Sequence, residues 1–259
     1  MNNRPVNFVL SVLAPLFFMV PAISIAQDSP LPLAEVWIAT PNPDHASDFY
    51  KGVTAHMAFR SEHGDPREWQ AYTPLLGDDL GRVAFRACCF SWADQDAYQE
   101  WSEKSDEVNA HFNKHVAPHV VKWEHYFDTL NWKNSHWIED DSYKLFAVTQ
   151  FQVKPGHAAD FNAARDKLLQ VALNQGWATD NHPWLWAARV GGNPTESIII
   201  PHKNFASMDR DEETFSRFLS KHMGDDAAAA LMQQFSSATL GSNYQIWKHE
   251  EKYSMSSDD

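Results

Sequence analysis

One heptapeptide occurs twice. "PDHASDF" begins at Pro43 and "PGHAADF" begins at Pro155, 112 residues later, with five of the seven positions identical. Each copy reads as a helix entrance, with Asp48 or Asp160 in the first turn, where the helix dipole favours an acid. A chain that writes the same entrance twice has to fold into two units of one plan.

The flanking sequence repeats with it. In the first copy, "AEVWIAT" (Ala34 to Thr40) predicts a strand and "HASDFYKGVTAHMAFR" a helix. "WQAYTPLL" and "GRVAFRACCFSW" predict two strands parted by the turn "GDDLG". "DQDAYQEWSEKSDEVNAHFNKHVA" predicts one or two helices, and "VVKWEHYF" a fourth strand. The second copy gives "YKLFAVTQFQV", the helix "HAADFNAARDKLLQVALNQG", the strands "WLWAARV" and "SIIIPHKNF", helix pieces divided at Gly224, and the strand "NYQIWKHEEKY". Trp247 there stands where Trp123 stands in the first copy.

Both copies have the order β-α-β-β-α-β, the split arrangement of ferredoxin-like folds. The fold class is α+β. Helices cover one face of each sheet, yet Val83, Phe85 and Ala87 alternate with Ala84, Cys88 and Phe90, so both faces are apolar. The expected solution is two tandem ferredoxin-like units packed sheet to sheet as an intramolecular pseudo-dimer. The expected boundaries are 1–26 for a signal peptide, 27–131 for the first unit, 132–142 for a linker, and 143–259 for the second unit with an acidic tail.

The duplicated P-x-H-A-x-D-F entrance, the element order and the aromatic strands resemble the dimeric α/β-barrel superfamily, here as a tandem fusion. That superfamily includes antibiotic-biosynthesis-type monooxygenases, EthD-like and NIPSNAP-like proteins, haem-degrading monooxygenases and chlorite dismutases. The resemblance covers nearly all of the chain after the signal-like start. It speaks for the fold; function has to be argued from a site.

Composition narrows the partners. The formal net charge is −13, which repels phosphate backbones and anionic headgroups and makes nucleic acid an unexpected partner. Hydrophobic residues make up 44 %, with 11 Trp, enough for a sizeable core. Arg4, the apolar stretch "FVLSVLAPLFFMV" and the small residues of "SIA" predict a signal peptide cut before Gln27. The stretch is short for a membrane span. The expected mature protein is exported, periplasmic or secreted, with no integral membrane segment, and is a monomeric pseudo-dimer or a homodimer of it. Cys88 and Cys89, adjacent on a predicted strand, point to opposite faces and are expected not to bond to each other.

His45 and His157, the duplicated histidines, read as exposed residues of the helix entrances. His111, His115 and His119 are not duplicated and lie four apart. Measured around the helix from Val108, Trp101 lies at about +20°, Phe112 at about +40°, His115 at about −20° and His111 at about −60°. That places His115 in the apolar stripe facing the sheet, and His111 on its edge. The second copy has "DAAAALMQQF" at the same helix position, so the fold does not require imidazole there. One polar cleft, in the first copy, and one filled cleft, in the second, are expected. Arg86 sits inside an apolar strand, where a guanidinium needs an acid or an anionic ligand. Trp69, Tyr72, Trp101 and Phe112 are the candidate cleft walls, suited to a small apolar or aromatic molecule.

His115, His111 and Arg86 are therefore the candidate catalytic residues. No metal site is expected: there is no HExxH and no cysteine cluster. The resemblance implies cofactor-independent monooxygenase-type chemistry, in which a histidine takes a proton from the bound molecule. It also allows haem binding or degradation, with a histidine of this helix as axial ligand. A non-catalytic ligand-binding or interaction protein of the same fold is the third class, and the sequence leaves enzyme and non-enzyme open.

Overall fold

Strand β1 (Leu33–Pro41) shows how the residues sort themselves. Successive side chains of a strand point to opposite faces. Val36 and Ile38 pack on one side with Ala84, Tyr72, Tyr126 and Trp247 of other strands. Ala39 and Trp37 pack on the other side, where Phe49, Val53 and Met57 of a helix meet them. The structure is a computed structural model and describes residues 32–209 and 211–256. The expected signal peptide, 1–26, lies outside the described residues.

The first half continues with α1 (Ala46–Glu62), β2 (Gln70–Leu76), β3 (Val83–Phe90), α2 (Trp92–Lys104), α3 (Asp106–His115) and β4 (Val120–Leu130). The second comprises β5 (Leu145–Val153), α4 (Ala158–Asn174), β6 (Leu185–Val190), β7 (Thr195–His202), α5 (Phe215–Met223), α6 (Asp225–Ser237) and β8 (Thr239–His249). Each half has the expected order, with its second helical stretch broken in two. Gly224, at φ 85°, makes the break in the second half. Ser105 makes it in the first, ending α2 and opening α3.

The sheets do not stack as two separate layers, as the sequence suggested. They join edge to edge into one closed barrel, in the order β1-β3-β2-β8-β5-β7-β6-β4. A four-stranded sheet leaves two edges of unpaired backbone groups. Here β2 pairs with β8 (Tyr72 opposite His249) and β4 with β6 (Phe127 opposite Val190). Both edges of each half are consumed by the other half. The inner faces meet across the barrel, and the helices lie outside it.

In the segment 132–142, Asn134 is buried, its carbonyl accepts the Trp184 indole N–H at 2.7 Å, and His136 forms a bridge with Trp184. One further expectation needs correction. Cys88 and Cys89 are joined to each other by a disulfide, across a cis peptide bond. The β1–β3 ladder pairs Ala34 with Cys88 and Leu33 with Phe90, so Cys89 is the extra residue of a bulge and the regular alternation fails there.

Helix α1 crosses α3 at Gly52. A Cβ at that position would overlap the His115 carbonyl. Gly→Ala inside a helix ordinarily stabilises by about 0.5–1 kcal/mol. Here the overlap is with backbone, which cannot swing aside, so Gly52→Ala should instead destabilise by about 1–3 kcal/mol in urea unfolding. An unchanged or raised midpoint would show that α1 and α3 do not meet at this glycine.

Candidate functional site

The polar cavity lies in the first half, between the outer face of its sheet and its three helices. Its volume is about 420 Å³. Trp37, Phe85 and Trp123 rise from the strands, Val53 and Met57 from α1, and Phe112 from α3. Under the 112-residue offset of the repeat, Glu35, His56 and Arg60 correspond to Ala147, Leu168 and Ala172. Leu168 is packed with Phe218, Leu219, Ala228 and Leu231, so the equivalent region of the second half is filled.

Glu35 anchors the polar wall. It comes from β1 on the helix-facing side and is only 4 % exposed. A carboxylate so buried needs partners. Its Oε1 accepts the Trp37 indole N–H at 2.9 Å and His125 Nε2–H at 2.8 Å. Its Oε2 accepts from the Arg67 guanidinium. The His125 ring also lies flat on Trp37, centroids 3.9 Å apart. With Nε2 donating to the carboxylate, the neutral ring keeps its lone pair on Nδ1. Burial, then the Arg67 charge, lowers the His125 pKa and favours this neutral form. Burial likewise lowers the Arg67 pKa, to about 10, with the surrounding Tyr98 and Asp94 opposing it.

A second group sits where α1 meets α3. His56 is 3 % exposed and takes Arg60 Nη1–H on Nε2 at 3.4 Å. Its proton is therefore on Nδ1 and is donated to His111 Nδ1 at 3.2 Å. Burial pushes the His56 pKa down to about 3, helped by Arg60, His111 and His115. Burial and its histidine and lysine neighbours lower His111 too. Arg60 also donates to the Tyr98 hydroxyl at 2.6 Å and binds Asp65.

Trp69 and Phe112, among the candidate residues, line the cavity. His111 reaches it only through His56. His115 lies against His111, ring centroids 4.5 Å apart and planes tilted by 39°, and does not line the cavity. The reason is rotational: the inward face of α3 runs through Phe112 and Asn109, which places His111 and His115 on the flank turned to α1. Trp101 stacks on Tyr98 at 5.5 Å, behind the wall. Arg86 and Tyr72 belong to the opposite sheet face, inside the barrel. Tyr72 packs there with Val36 and Ile38. Arg86 faces Asp128, whose pKa burial raises while Arg86 and Arg189 hold it down. Neither is brought to the cavity. His45 and His157 are exposed at their helix entrances.

Sequence reasoning missed Glu35, His56, Arg60, Arg67 and His125. Glu35 carried a signal: it is the one acid in the apolar run "LAEVWIATP". Among the described residues, no group of three or more His, Cys, Asp or Glu side chains is arranged to hold a metal ion. Since neither His111 nor His115 lines the cavity, the arrangement does not fit a haem held by a histidine of α3. No helix among the described residues is long and apolar enough to cross a membrane.

Solved structures share this architecture, three of them as follows. A protein from Lactobacillus acidophilus assigned as a monooxygenase superposes with a TM-score of 0.51 at 10 % identity, over 85 % of this chain and 94 % of its own. A Fusobacterium nucleatum protein with the same assignment gives 0.50 at 9 %, over 85 % and 92 %. A chlorite dismutase variant from Candidatus Nitrospira defluvii, in complex with cyanide, gives 0.51 at 10 %, over 85 % and 92 %. The chain has the dimeric α/β-barrel fold. No family model and no curated relative matches the sequence. At these identities the likeness is one of architecture, and the chemistry of this dimeric α/β-barrel has to come from its own cavity.

The titration of His56 gives the site a measurable signature. Its pKa in the folded state, about 3, lies below the ordinary 6.5, so between those values the unfolded chain binds more protons. Stability from this group is complete above pH 6.5 and is lost as pH falls toward 3. Between pH 7 and pH 5 the loss should be about 2 kcal/mol by urea unfolding. His56→Gln should remove most of that slope, and a slope the variant leaves intact would place the titration elsewhere.

Proposed function

We propose that this protein is an exported, tandem-fused dimeric α/β-barrel that binds a small aromatic or apolar molecule in the first-half cavity and oxidises it without a cofactor. One observation carries the reading: His125, backed by the buried Glu35 carboxylate, stands on the wall of an aromatic cavity, and the corresponding region of the second half is filled. The assignment of two structural neighbours as monooxygenases is consistent with it.

In this reading the substrate carries an acidic CH₂ flanked by aromatic or carbonyl groups. His125 Nδ1 takes one proton, and Glu35 steadies the imidazolium through Nε2–H. The resulting carbanion transfers electrons to O₂ and forms a carbon–oxygen bond. The O–O bond then breaks, one oxygen stays as C=O, and the other leaves as water with the second hydrogen and the proton returned by His125. The CH₂ is oxidised by two two-electron steps and O₂ is fully reduced. Aromatic walls exclude water from the carbanion. His111 contributes by fixing the His56 tautomer, and through it Arg60.

Anthrone and related carbon acids are suitable substrates to test, and 1-naphthol, which has no acidic CH₂, serves as a binding probe. Quenching of tryptophan emission should report binding, since Trp37, Trp69 and Trp123 line the cavity. An oxygen electrode should report turnover. His125→Ala and Glu35→Gln should each lower turnover by about 10²–10⁴-fold, and His125→Ala should leave binding within a fewfold. Turnover indifferent to both substitutions would defeat the acid–base assignment. Export is tested separately, by the mass of the mature amino terminus: a chain beginning at Gln27 is expected.

A further inference from the structure

Helix α2 differs in kind from the other cavity walls. It is 13 residues long and contains no buried residue, whereas α1 buries five. Even so, Gln95, Tyr98, Gln99 and Ser102 line the cavity from one face, at the i, i+3, i+4, i+7 spacing of a helix. Three of those four side chains are amides or a hydroxyl without a ring. The apolar hold on such a helix is small, chiefly the half-buried Tyr98 ring against the first-half core and Trp92 against Phe127.

The polar hold comes from a pair of guanidinium groups in the body of the protein. Arg67 donates to the Gln95 side-chain oxygen and lies over the Tyr98 ring at 3.8 Å. Arg60 donates to the Tyr98 hydroxyl at 2.6 Å and lies 5.7 Å from the Trp101 ring. At its ends, α2 has well-defined pivots. Ser91 closes a capping box with Asp94, and Ser105 lies outside helical geometry at φ −99°, ψ 56°. Asn109, on α3, donates to the Ser102 carbonyl at 2.9 Å beside the second pivot.

We propose that α2 is a lid over the first-half cavity, pivoting at Ser91 and Ser105 and latched shut by Arg60 and Arg67. The lid rests on the reading of this cavity as a ligand site, since only a ligand gives it something to cover. Its latch also reaches the polar wall. Arg67 holds Gln95 with Nη2 and Glu35 with Nη1, so one guanidinium joins the lid to the carboxylate that orients His125. Arg67 is thus a positioning residue. When the lid lifts, Gln95 leaves Arg67 while the Arg67–Glu35 pair stays in the body.

Hydrogen exchange on the full chain tests this. Elements that open alone exchange faster than the fold that carries them. In the wild-type protein, the amides of residues 96–104 should exchange at least tenfold faster than those of residues 50–60 in α1. Tyr98→Phe removes one hydrogen bond to a charged donor and should speed exchange in α2 about tenfold, leaving α1, α3 and β4 unchanged. Saturating 1-naphthol should slow α2 more than any other element. Exchange of α2 at the α1 rate in the wild type, or acceleration by Tyr98→Phe spread evenly over the chain, would overturn the lid. Binding of 1-naphthol, seen by tryptophan quenching, with α2 exchange unaltered would overturn it as well. If 1-naphthol and anthrone both fail to bind, the ligand reading of the cavity fails, and the wild-type contrast between α2 and α1 still decides whether α2 opens.

Discussion

A carboxylate taken as far from water as Glu35 must be matched or neutralised, because the cost of an unpaired buried charge is several kcal/mol. Three partners match it: a guanidinium, an imidazole and an indole N–H. Each has consequences beyond neutrality. Arg67 ties the strand to α2, His125, which lines the cavity, keeps its lone pair on Nδ1, and Trp37 becomes the plate on which that imidazole lies. The ring is held in place by a hydrogen bond at one edge and a stack on one face. That is the kind of fixation a proton-transfer group needs before any ligand arrives.

The barrel makes such a site tolerable. Burying polar groups on the outer face of β1 weakens the packing of helices against that sheet. The inner face compensates: Val36, Ile38 and Ala84 are buried there, and the ladders β2–β8 and β4–β6 join the halves, the first with an irregularity after Pro74. Stability comes from closure and from the second half, whose helices pack Leu168, Phe218, Leu219 and Leu231 tightly. The disulfide between neighbouring cysteines closes no loop, so it does not substitute for that packing.

Much of this architecture was legible in the residues because period and punctuation agree. The repeat gave the two-unit plan, alternation gave the strands, and Gly224 gave the break in the second helical stretch. The mode of assembly was not legible. Apolar residues on both faces of β3 are equally consistent with a sandwich and with a barrel, and the pairing of β2 with β8 depends on backbone edges that no side chain announces. At the site, placement on a helical wheel identified Phe112 as a wall but put His115 on the wrong side of the boundary. An angular error of a few tens of degrees decides whether a side chain faces the sheet or the neighbouring helix, and the close approach at Gly52 draws that flank of α3 to α1. Arg86 was singled out by the right rule, a charge within an apolar strand, but alternation sends it to the barrel interior. The same rule applied to Glu35 leads to the cavity.

The asymmetry of the halves follows from what each must do. A fold made of two like units needs both to close the barrel, but it does not need both to be hollow. At three positions related by the repeat offset, the first half has an acid, a histidine and an arginine where the second has Ala147, Leu168 and Ala172. Alanine and leucine at these positions remove the desolvation cost, and around Leu168 the space is filled by Phe218, Leu219 and Leu231. The polar residues of the first half must instead find partners. In the first half they do: Glu35 with Arg67, Arg60 with Asp65, and His56 with His111. A single chain can hold these differences in one half only, which two identical subunits cannot do. The pairing of a filled half with a hollow one thus depends on both units belonging to one polypeptide.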